Sequence, residues 1–270
     1  MRLKITHETG YRYDHPAQAL VQSLRLTPSV HEGQRVTDWQ IAVSRGQRGA
    51  AFRDGAGDWI EAWTVRGPVE EITVSISGLV ETRDTAGVLR GHRETINPLV
   101  YLRPTALTAA DAALCDLAQG VAGEDALDLA HRLSAAVTGA IAYLPGVTEA
   151  LTSAAEALAL GHGVCQDHAH ALIACARQRG LPARYVSGYL HSTIDGTPHD
   201  AAHAWAEIHV GPLGWVGFDA ANACCPDDRY VRLGSGYDAD DAAPVRGTTF
   251  GSGRESLDVR VQVEEMSQEQ

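Results

Sequence analysis

The sequence predicts an α+β protein in which an N-terminal antiparallel β-sandwich precedes a domain of helices packed on an antiparallel sheet. Up to about residue 100, short runs alternate between apolar and polar residues, as half-buried strands do. Beyond that point apolar residues recur with helical spacing, and alternation returns only near residue 183. Helices followed by antiparallel strands are typical of α+β domains. We therefore expect a β-sandwich over residues 1–100 and a second domain over residues 101–270.

Short strands and turns predict the first domain. Apolar and polar residues alternate over 39–43 and 72–77, and a turn cluster at 54–58 precedes another short run at 59–65. Several short strands separated by turn residues favour a small antiparallel sandwich. The histidines of this half are scattered, so we expect solvated surface or turn positions for them: His7, His15, His31 and His92.

Helical patterns open the second domain. An Ala- and Leu-rich helix is predicted after Thr108, and apolar residues repeat every four positions over 129–141 along the next one. Ser153 and Glu156 form a capping box for a short helix that ends near Gly161. These signals predict successive helices joined by short loops.

A further helix begins at Cys165, and the segment 180–182 ends it. Its core-facing residues are Ala169, Leu172, Ile173 and Ala176. Three strands are then predicted, at about 183–190, 202–210 and 215–220. The Gly-, Asp- and Ala-rich stretch 234–253 is predicted to be an ordered loop near the functional site, because long structureless loops are uncommon in compact domains.

Composition and charge narrow the classes of function. The 270 residues carry a net charge of −12, the sequence pI is about 5.4, and no basic patch stands out. Binding to nucleic acid is therefore not expected. The five cysteines lack regular spacing, which argues against a disulfide framework and favours a reducing compartment. Without an apolar signal core or a stretch of membrane-spanning length, we expect a cytoplasmic protein with no membrane partner.

Cys165 is the strongest candidate for a functional residue. A turn of small residues leads directly into the helix that begins with this thiol. The thiolate is the nucleophilic form of cysteine, and the positive end of a helix and a nearby imidazolium both favour it. The alternative, a buried structural thiol, suits Cys115 and Cys175, which lie inside helical apolar patterns. It suits Cys165 poorly, because glycine, histidine and aspartate surround this residue.

A histidine and a carboxylate follow on predicted strands. Ala204, Ala206, Ile208 and Val210 share one face of the first strand, so we expect His203 on the other face to point toward a cleft. Asp219 lies at the end of the next strand, where a carboxylate can hold an imidazole in its useful tautomer. With Cys165, these residues predict a Cys-His-Asp triad for acyl transfer.

The hairpin between these strands offers a test of the triad. Residues that face each other in a hairpin have a constant sum of residue numbers, and the sum for His203 and Asp219 is even. An even sum requires a loop with an odd number of residues, or a bulge. A two-residue turn at Pro212-Leu213 would direct the aspartate to the opposite face. We therefore predict an odd loop or a bulge.

An acyl-transfer intermediate also needs hydrogen-bond donors for its oxyanion. The backbone N–H of Cys165 is a natural donor at the start of a helix, and Gln166 and Tyr143 are candidates for a side-chain donor. Trp205 is a third candidate for contact with the oxyanion or the substrate. Asp167, in the first helical turn, is expected to act as a cap or a structural partner.

A metal site is the competing interpretation of the histidines. The histidines near the thiol in sequence are His162, His168 and His170, and an H-x3-H spacing joins His199 to His203. Zinc sites use cysteine and histidine, but the usual paired spacings are missing. We therefore expect neither a metal nor a cofactor. Cys224 and Cys225 are expected to be packing residues, since adjacent cysteines rarely bridge each other.

Motifs of the second half resemble those of one family. They are Gly163-Val164-Cys165-Gln166-Asp167, Ala183-Arg184-Tyr185-Val186-Ser187-Gly188-Tyr189, His203-Ala204-Trp205, Phe218-Asp219, Asp228-Arg229-Tyr230-Val231 and Gly236-Tyr237-Asp238. They resemble the transglutaminase-like superfamily, in particular its bacterial branch of cysteine-protease-like proteins. The first hundred residues look like the β-domain that usually precedes this module. The resemblance implies a papain-like fold and carries the roles of nucleophile, base and orienting acid onto Cys165, His203 and Asp219.

The expected reaction passes through a thioester, and three functions follow from it. The first is hydrolysis of a peptide or an amide-containing small molecule, as in a cysteine peptidase or amidase. The second is transfer of the acyl group to an amine, as in a transglutaminase or an amide ligase, and here the enzyme offers itself only one lysine, Lys4. The third is a non-enzymatic binding module of the same fold, which the complete triad disfavours.

Overall fold

The computed structural model describes residues 1–191, 202–251 and 253–266. Its strands are β1 (Arg2–Leu24), β2 (Gln34–Val43), β3 (Gly46–Arg53), β4 (Trp59–Thr82), β5 (Ala142–Tyr143), β6 (His162–Gly163), β7 (Ala183–Leu190), β8 (Ala202–Val210), β9 (Gly214–Phe218), β10 (Tyr230–Gly236), β11 (Val245–Phe250) and β12 (Glu255–Glu265). Its α-helices are α1 (Ala112–Gln119), α2 (Ala126–Ala140), α3 (Ala154–Leu160) and α4 (Cys165–Gln178). The fold class is α+β, as predicted.

Two long strands build the N-terminal sandwich. β1 and β4 span 23 and 24 residues and pair antiparallel, with register shifts between Arg12 and Ala19. The strand order is β12-β1-β4-β2 before this interruption and β11-β1-β4-β3 after it. Apolar side chains from both halves, Ile5 and Leu24 among them, belong to one core. The sandwich is therefore one continuous sheet whose two halves bury their apolar faces together.

The last two strands return to this first sheet. β11 pairs with residues 19–24 of β1, and β12 pairs with residues 3–13. The stretch 234–253, predicted to be a loop, contains the end of β10 and all of β11. β11 and β12 lie within residues 101–270, the predicted second domain, but their backbone hydrogen bonds are with β1 of the sandwich. Alternation of apolar residues over 257–263 signals β12, but local sequence carries no signal for such a distant partner.

The second domain is built on a four-stranded antiparallel sheet with the strand order β10-β7-β8-β9. One face packs against α4, and Ala206 and Ile208 of β8 share a core with this helix. The predicted core-facing residues of α4 are all buried: Ala169, Leu172, Ile173 and Ala176. The strands predicted at 183–190, 202–210 and 215–220 are β7, β8 and β9. The sheet therefore places β7 and β8 against the helix that begins with the candidate thiol.

Side-chain caps explain where the helices begin. The predicted capping box of Ser153 and Glu156 starts α3, and Gly161 ends it with a φ of 66°. α1 begins after Asp111 rather than directly after Thr108, because the Asp111 carboxylate accepts a backbone N–H of the first turn at 2.9 Å. Within residues 1–191, 202–251 and 253–266, no helix combines the length and apolar content that crossing a bilayer requires.

A buried ionic network joins the two sheets. Glu207 of β8 accepts hydrogen bonds from Nε of Arg184 at 2.7 Å and from Nε of Arg232 at 2.9 Å. Arg232 also donates to Asp58, in the turn before β4, at 2.9 Å. The four side chains are at most 4% exposed, and each charge faces an opposite charge, which offsets the cost of desolvation. This network holds the sandwich against the face of the second sheet that α4 does not cover.

His7 does not lie on the solvated surface that the sequence analysis expected. It is 6% exposed, and its ring nitrogens lie 2.7 Å from Oη of Tyr189 and 2.8 Å from Oγ1 of Thr9. Burial lowers the pKa of His7 to about 4, so its ring is neutral at pH 7. The prediction is wrong because His7 lies on the same face of β1 as Leu3 and Ile5, and this alternation indicates burial.

Candidate active site

Cys165 is the first residue of α4, and the helix start around it is tightly held. Asp167 is 1% exposed, and its Oδ2 accepts the backbone N–H of Val164 and the hydroxyl of Thr148, each at 2.7 Å. The predicted capping role of Asp167 is thus confirmed. The first amides of a helix have no acceptor within it, so the N–H groups of Cys165 and Gln166 mark its positive end beside the thiol.

A pair of short strands approaches this helix start. β5 pairs with β6 in parallel, with Tyr143 opposite Gly163. The ring of His168 joins the residue before α4 to the residue before β5, since its nitrogens lie 2.9 Å from the carbonyl oxygens of Val164 and Ile141. The segment before the thiol is therefore fixed by both backbone and side-chain contacts.

The hairpin from β8 to β9 has the odd loop that the triad requires. Val210 pairs with Gly214, and the three residues between them, Gly211–Leu213, form a single 3₁₀ turn. This confirms the register prediction. It also means that His203 and Asp219 have the same parity across the hairpin, so both side chains can lie on one face.

His203 lies between the thiol and the carboxylate. Its Nε2 is 2.6 Å from Oδ2 of Asp219, and Cys165 lies near enough to the same ring to raise the pKa of His203. Because Nε2 is engaged by the carboxylate, Nδ1 is the nitrogen left for the sulfur. The His203 and Asp219 side chains are 8% and 1% exposed, whereas Cys165 is partly exposed. The three residues selected from the sequence are thus brought together.

The protonation of the histidine follows from these contacts. Burial would lower the pKa of His203, but hydrogen bonds to Asp219 and Cys165, and their charges, raise it to about 9. Burial also disfavours the ionised form of Asp219, yet hydrogen bonds from His203, Asn222 and Tyr230 lower the pKa of this carboxyl. At neutral pH a protonated imidazole therefore lies between the carboxylate of Asp219 and the sulfur of Cys165.

Two residues to which the sequence analysis gave no role bind the carboxylate of Asp219. Nδ2 of Asn222 donates to Oδ2 at 2.7 Å, and the hydroxyl of Tyr230 donates to the same oxygen at 2.8 Å. Oδ1 accepts the backbone N–H groups of Ala221 and Asn222 at 3.0 and 3.1 Å. The two backbone contacts are typical of aspartate in a turn and could have been predicted. The contact of Tyr230 with Asp219 joins residues from different strands, so it could not have been predicted from local sequence.

Gln166 and Tyr143, the candidates for a side-chain oxyanion donor, flank the helix start. Nε2 of Gln166 donates to the carbonyl oxygen of Ala150 at 2.9 Å, so this amide holds the preceding loop against α4. Tyr143 is 56% exposed, and its ring centroid lies 6.3 Å from that of His168. Gln166 is therefore committed to a structural contact in this state, whereas Tyr143 lies on the open surface beside β6.

Trp205, the third candidate, lies behind the imidazole. It is 3% exposed, and its ring stacks on that of His203 with centroids 6.4 Å apart and an interplanar angle of 28°. The ring of Tyr230 meets Trp205 edge-on at 5.5 Å. This burial leaves Trp205 little surface for a substrate, and its contacts instead fix the plane of the histidine ring.

The other cysteines contact the protein interior. Cys175 is buried, its Sγ lies 3.8 Å from the carbonyl oxygen of Leu114, and burial raises the pKa of its thiol to about 12. Cys224 lies 3.3 Å from Oη of Tyr230, and Cys225 packs against the helical core. These environments fit the packing roles that the sequence analysis gave them.

The histidines near the thiol make contacts of other kinds. Nε2 of His170 accepts the backbone N–H of Ala239 at 3.0 Å, which ties α4 to the segment after β10. In the part of the chain that the structure describes, no group of three or more His, Cys, Asp or Glu side chains is arranged to hold a metal ion. His199, which the metal hypothesis paired with His203, lies outside the described residues.

Comparison with protein families agrees with this architecture. The model of the transglutaminase-like superfamily matches residues 116–220, and the model of the bacterial transglutaminase-like N-terminal region matches residues 3–81. The chain belongs to the transglutaminase-like superfamily. The match to the transglutaminase-like core includes the positions of Cys165, His203 and Asp219.

Relatives of this transglutaminase-like protein extend over nearly its whole length. An uncharacterized protein of Mycobacterium leprae is 32% identical over 281 residues, which cover 97% of this chain and 98% of that protein. An uncharacterized protein of Mycobacterium bovis is 30% identical over 295 residues, covering 97% of this chain and 92% of that protein. The similarity therefore includes both the sandwich and the transglutaminase-like core.

A solved structure has the same fold. A candidate cysteine protease from Cytophaga hutchinsonii superposes with a TM-score of 0.73 at 21% sequence identity, covering 99% of this chain and 92% of that chain. The fold predicted for this transglutaminase-like protein, a β-sandwich followed by helices on an antiparallel sheet, is thus confirmed.

Proposed function

We propose that this transglutaminase-like protein is a thiol-dependent acyl-transfer enzyme that hydrolyses amide bonds in a peptide or an amide-containing small molecule. The observation that carries the proposal is that Cys165, at the N-terminus of α4, lies beside His203, which in turn is hydrogen-bonded to Asp219. A histidine with a pKa raised to about 9 is protonated at neutral pH and can donate a proton to a leaving amine.

In the proposed reaction the Cys165 thiolate attacks the amide carbonyl carbon, and the resulting oxyanion collapses with cleavage of the C–N bond. The leaving nitrogen takes the proton from Nδ1 of His203, which leaves a thioester and a neutral imidazole. Water then attacks the thioester carbonyl while this imidazole accepts its proton. The C–S bond breaks, the acid product leaves, and the thiolate and imidazolium are restored.

The oxyanion in both steps would be stabilised by the start of α4. The backbone N–H of Cys165 lies at the positive end of the helix and is the donor that such intermediates use most readily. Asp167 supports this role indirectly, since its bonds to Val164 and Thr148 hold the first turn in place.

Water is the proposed acceptor because the thiol is only partly buried, and amine transfer needs a cleft that excludes water. The Cytophaga hutchinsonii protein of the same fold is described as a candidate cysteine protease, and proteases transfer the acyl group to water. Amine transfer is the competing outcome of the same thioester.

The test is turnover of a panel of fluorogenic peptide amides by the wild type and by Cys165→Ala. We expect release of the fluorescent amine by the wild type and a loss of about 10³-fold or more in Cys165→Ala. The matched control is Cys115→Ala, which removes another partly exposed thiol, and it should leave turnover unchanged. Undiminished turnover in Cys165→Ala would rule out the proposed nucleophile.

A second arm separates hydrolysis from transfer. With a millimolar primary amine present, mass spectrometry of the products should show the free acid in excess over the new amide. An excess of the amide would replace hydrolysis by amine transfer as the function. Binding of a peptide with no turnover, and no labelling of Cys165 by thiol-directed probes, would favour a binding module.

We also propose a cytoplasmic location, because all five cysteines are free thiols and free thiols persist in a reducing compartment. Cell fractionation with an antibody against the chain tests this. Recovery in the periplasmic or secreted fraction would contradict it.

A further inference from the structure

We infer that the hydroxyl of Tyr230 is a positioning group that fixes the Asp219 carboxylate and sets how strongly this carboxylate holds the His203 imidazolium. The inference rests on the proposed function, in which His203 is the acid and the base. The hydroxyl of Tyr230 is hydrogen-bonded to Asp219, so its effect on the imidazolium passes through this carboxylate.

The first observation is that one carboxylate oxygen is shared. Oδ2 of Asp219 accepts from Nε2 of His203 at 2.6 Å, from Nδ2 of Asn222 at 2.7 Å and from the hydroxyl of Tyr230 at 2.8 Å. Donors to one oxygen compete for the same negative charge. The tyrosine therefore weakens the hold of the carboxylate on the imidazolium while it fixes the position of the oxygen.

The neighbours of Tyr230 determine to which group its hydroxyl donates a hydrogen bond. The Asp219 carboxylate can only accept, so the Tyr230 O–H must donate to it. Burial, followed by the charge of Asp219, raises the pKa of Tyr230, which keeps this hydroxyl protonated. Burial likewise raises the pKa of Cys224, whose thiol lies 3.3 Å from Oη and can donate to the remaining lone pair. A chain of donors therefore runs from Cys224 through Tyr230 to Asp219.

The ring of Tyr230 is held independently of its hydroxyl. Tyr230 is 5% exposed and meets the rings of His203 and Trp205 at centroid distances of 5.9 and 5.5 Å. Phenylalanine preserves these ring contacts. The substitution Tyr230→Phe therefore removes the donor and leaves the packing around the imidazole in place.

The other ionisable groups around His203 and Asp219 come from α4 and from the segment between β9 and β10. The thiol of Cys165 faces His203 from α4. Cys224 and the ion pair of Asp227 with Arg229 lie on the segment between β9 and β10. Tyr230→Phe replaces none of these residues, and Cys224 loses only its contact with Oη, so a shift in the titration of His203 reports the loss of the hydroxyl.

The experiment is an NMR titration of the His203 imidazole in the full chain, labelled with ¹³C-histidine and assigned by the signal lost in His203→Gln. We expect Tyr230→Phe to raise the His203 midpoint by about 0.5 to 1 pH unit, because the carboxylate keeps more charge for the imidazolium. The matched control is Tyr189→Phe. Its hydroxyl is equally buried and lies 2.7 Å from Nδ1 of His7, away from the triad.

The expected result for Tyr189→Phe is a His203 midpoint unchanged within about 0.2 pH unit. An unchanged or lower midpoint in Tyr230→Phe, or an equal shift in both variants, overturns the inference. If Tyr230→Phe does not fold, Asn222→Ala removes another donor to the same oxygen and must give the same upward shift. The titration needs no substrate, so the two proposals can fail separately. Absence of amide turnover would contradict the proposed function, whereas an unchanged His203 midpoint in Tyr230→Phe would contradict the positioning role of Tyr230.

Discussion

Replacing Asp219 by asparagine removes the charge that holds the His203 imidazolium. The pKa of His203 is raised from 6.5 to about 9, a difference of about 3.4 kcal/mol in favour of the charged ring at 1.36 kcal/mol per pKa unit. At pH 7.5 this corresponds to a ring that is about 97% protonated, against about 9% for a pKa of 6.5. We therefore expect Asp219→Asn to lower amide turnover at pH 7.5 by about 10²-fold or more.

The same substitution also creates a mismatch among donors. Oδ1 of Asp219 accepts two backbone N–H groups, and Oδ2 accepts three side-chain donors. Whichever way the new amide turns, its NH₂ group meets at least two of these donors. We expect a loss of about 1–3 kcal/mol in the free energy of unfolding, measured by urea denaturation.

The control for this variant is Asp227→Asn. Asp227 is paired with Arg229 at 2.7 Å and makes no hydrogen bond to the triad. It should retain both the turnover and the His203 titration midpoint of the wild type. A titration midpoint near 9 that persists in Asp219→Asn would refute the electrostatic reasoning, because it would show that the carboxylate is not what keeps the ring charged.

Two further predictions concern the network between the sheets and the effect of pH. Glu207→Gln leaves Arg184 and Arg232 without their shared carboxylate, and we expect it to lower the free energy of unfolding by about 3–5 kcal/mol. The control is Glu81→Gln, which breaks the exposed ion pair of Glu81 with Arg35 and should cost less than about 1 kcal/mol. Equal losses for the two variants in urea denaturation would contradict the assignment. The stability contributed by protonated His203 should be fully present below pH 6.5 and lost as the pH rises through about 9. Amide turnover should fall over the same alkaline range, and a rate that keeps rising above pH 10 would argue against imidazolium as the acid.

Much of the second domain could be predicted because its signals are local. The capping box of Ser153 and Glu156, the buried stripe of α4 and the alternation in β8 each occupy a few consecutive residues. The hairpin loop was predictable because strand parity is a counting argument once His203 and Asp219 are required on one face.

Features that depend on distant segments could not be predicted in this way. Alternation in β8 indicates that Glu207 points away from the helical core, but not that the sandwich covers that face and buries its carboxylate between two arginines. The contact of Tyr230 with Asp219 joins β10 to the end of β9, which are the two edge strands of the sheet, and no local pattern encodes such a contact.

The central claim is that His203, protonated beside Cys165, makes this thiol the reactive nucleophile of the protein. The most direct measurement is the rate of iodoacetamide alkylation of Cys165 against pH in the wild type and in His203→Gln, followed by peptide mass spectrometry with Cys115 as an internal reference. We predict that at pH 6.5 the wild type reacts at least about tenfold faster than His203→Gln, whose rate should rise only near pH 8.5, as for an ordinary thiol. Superimposable profiles for the two proteins would contradict the claim.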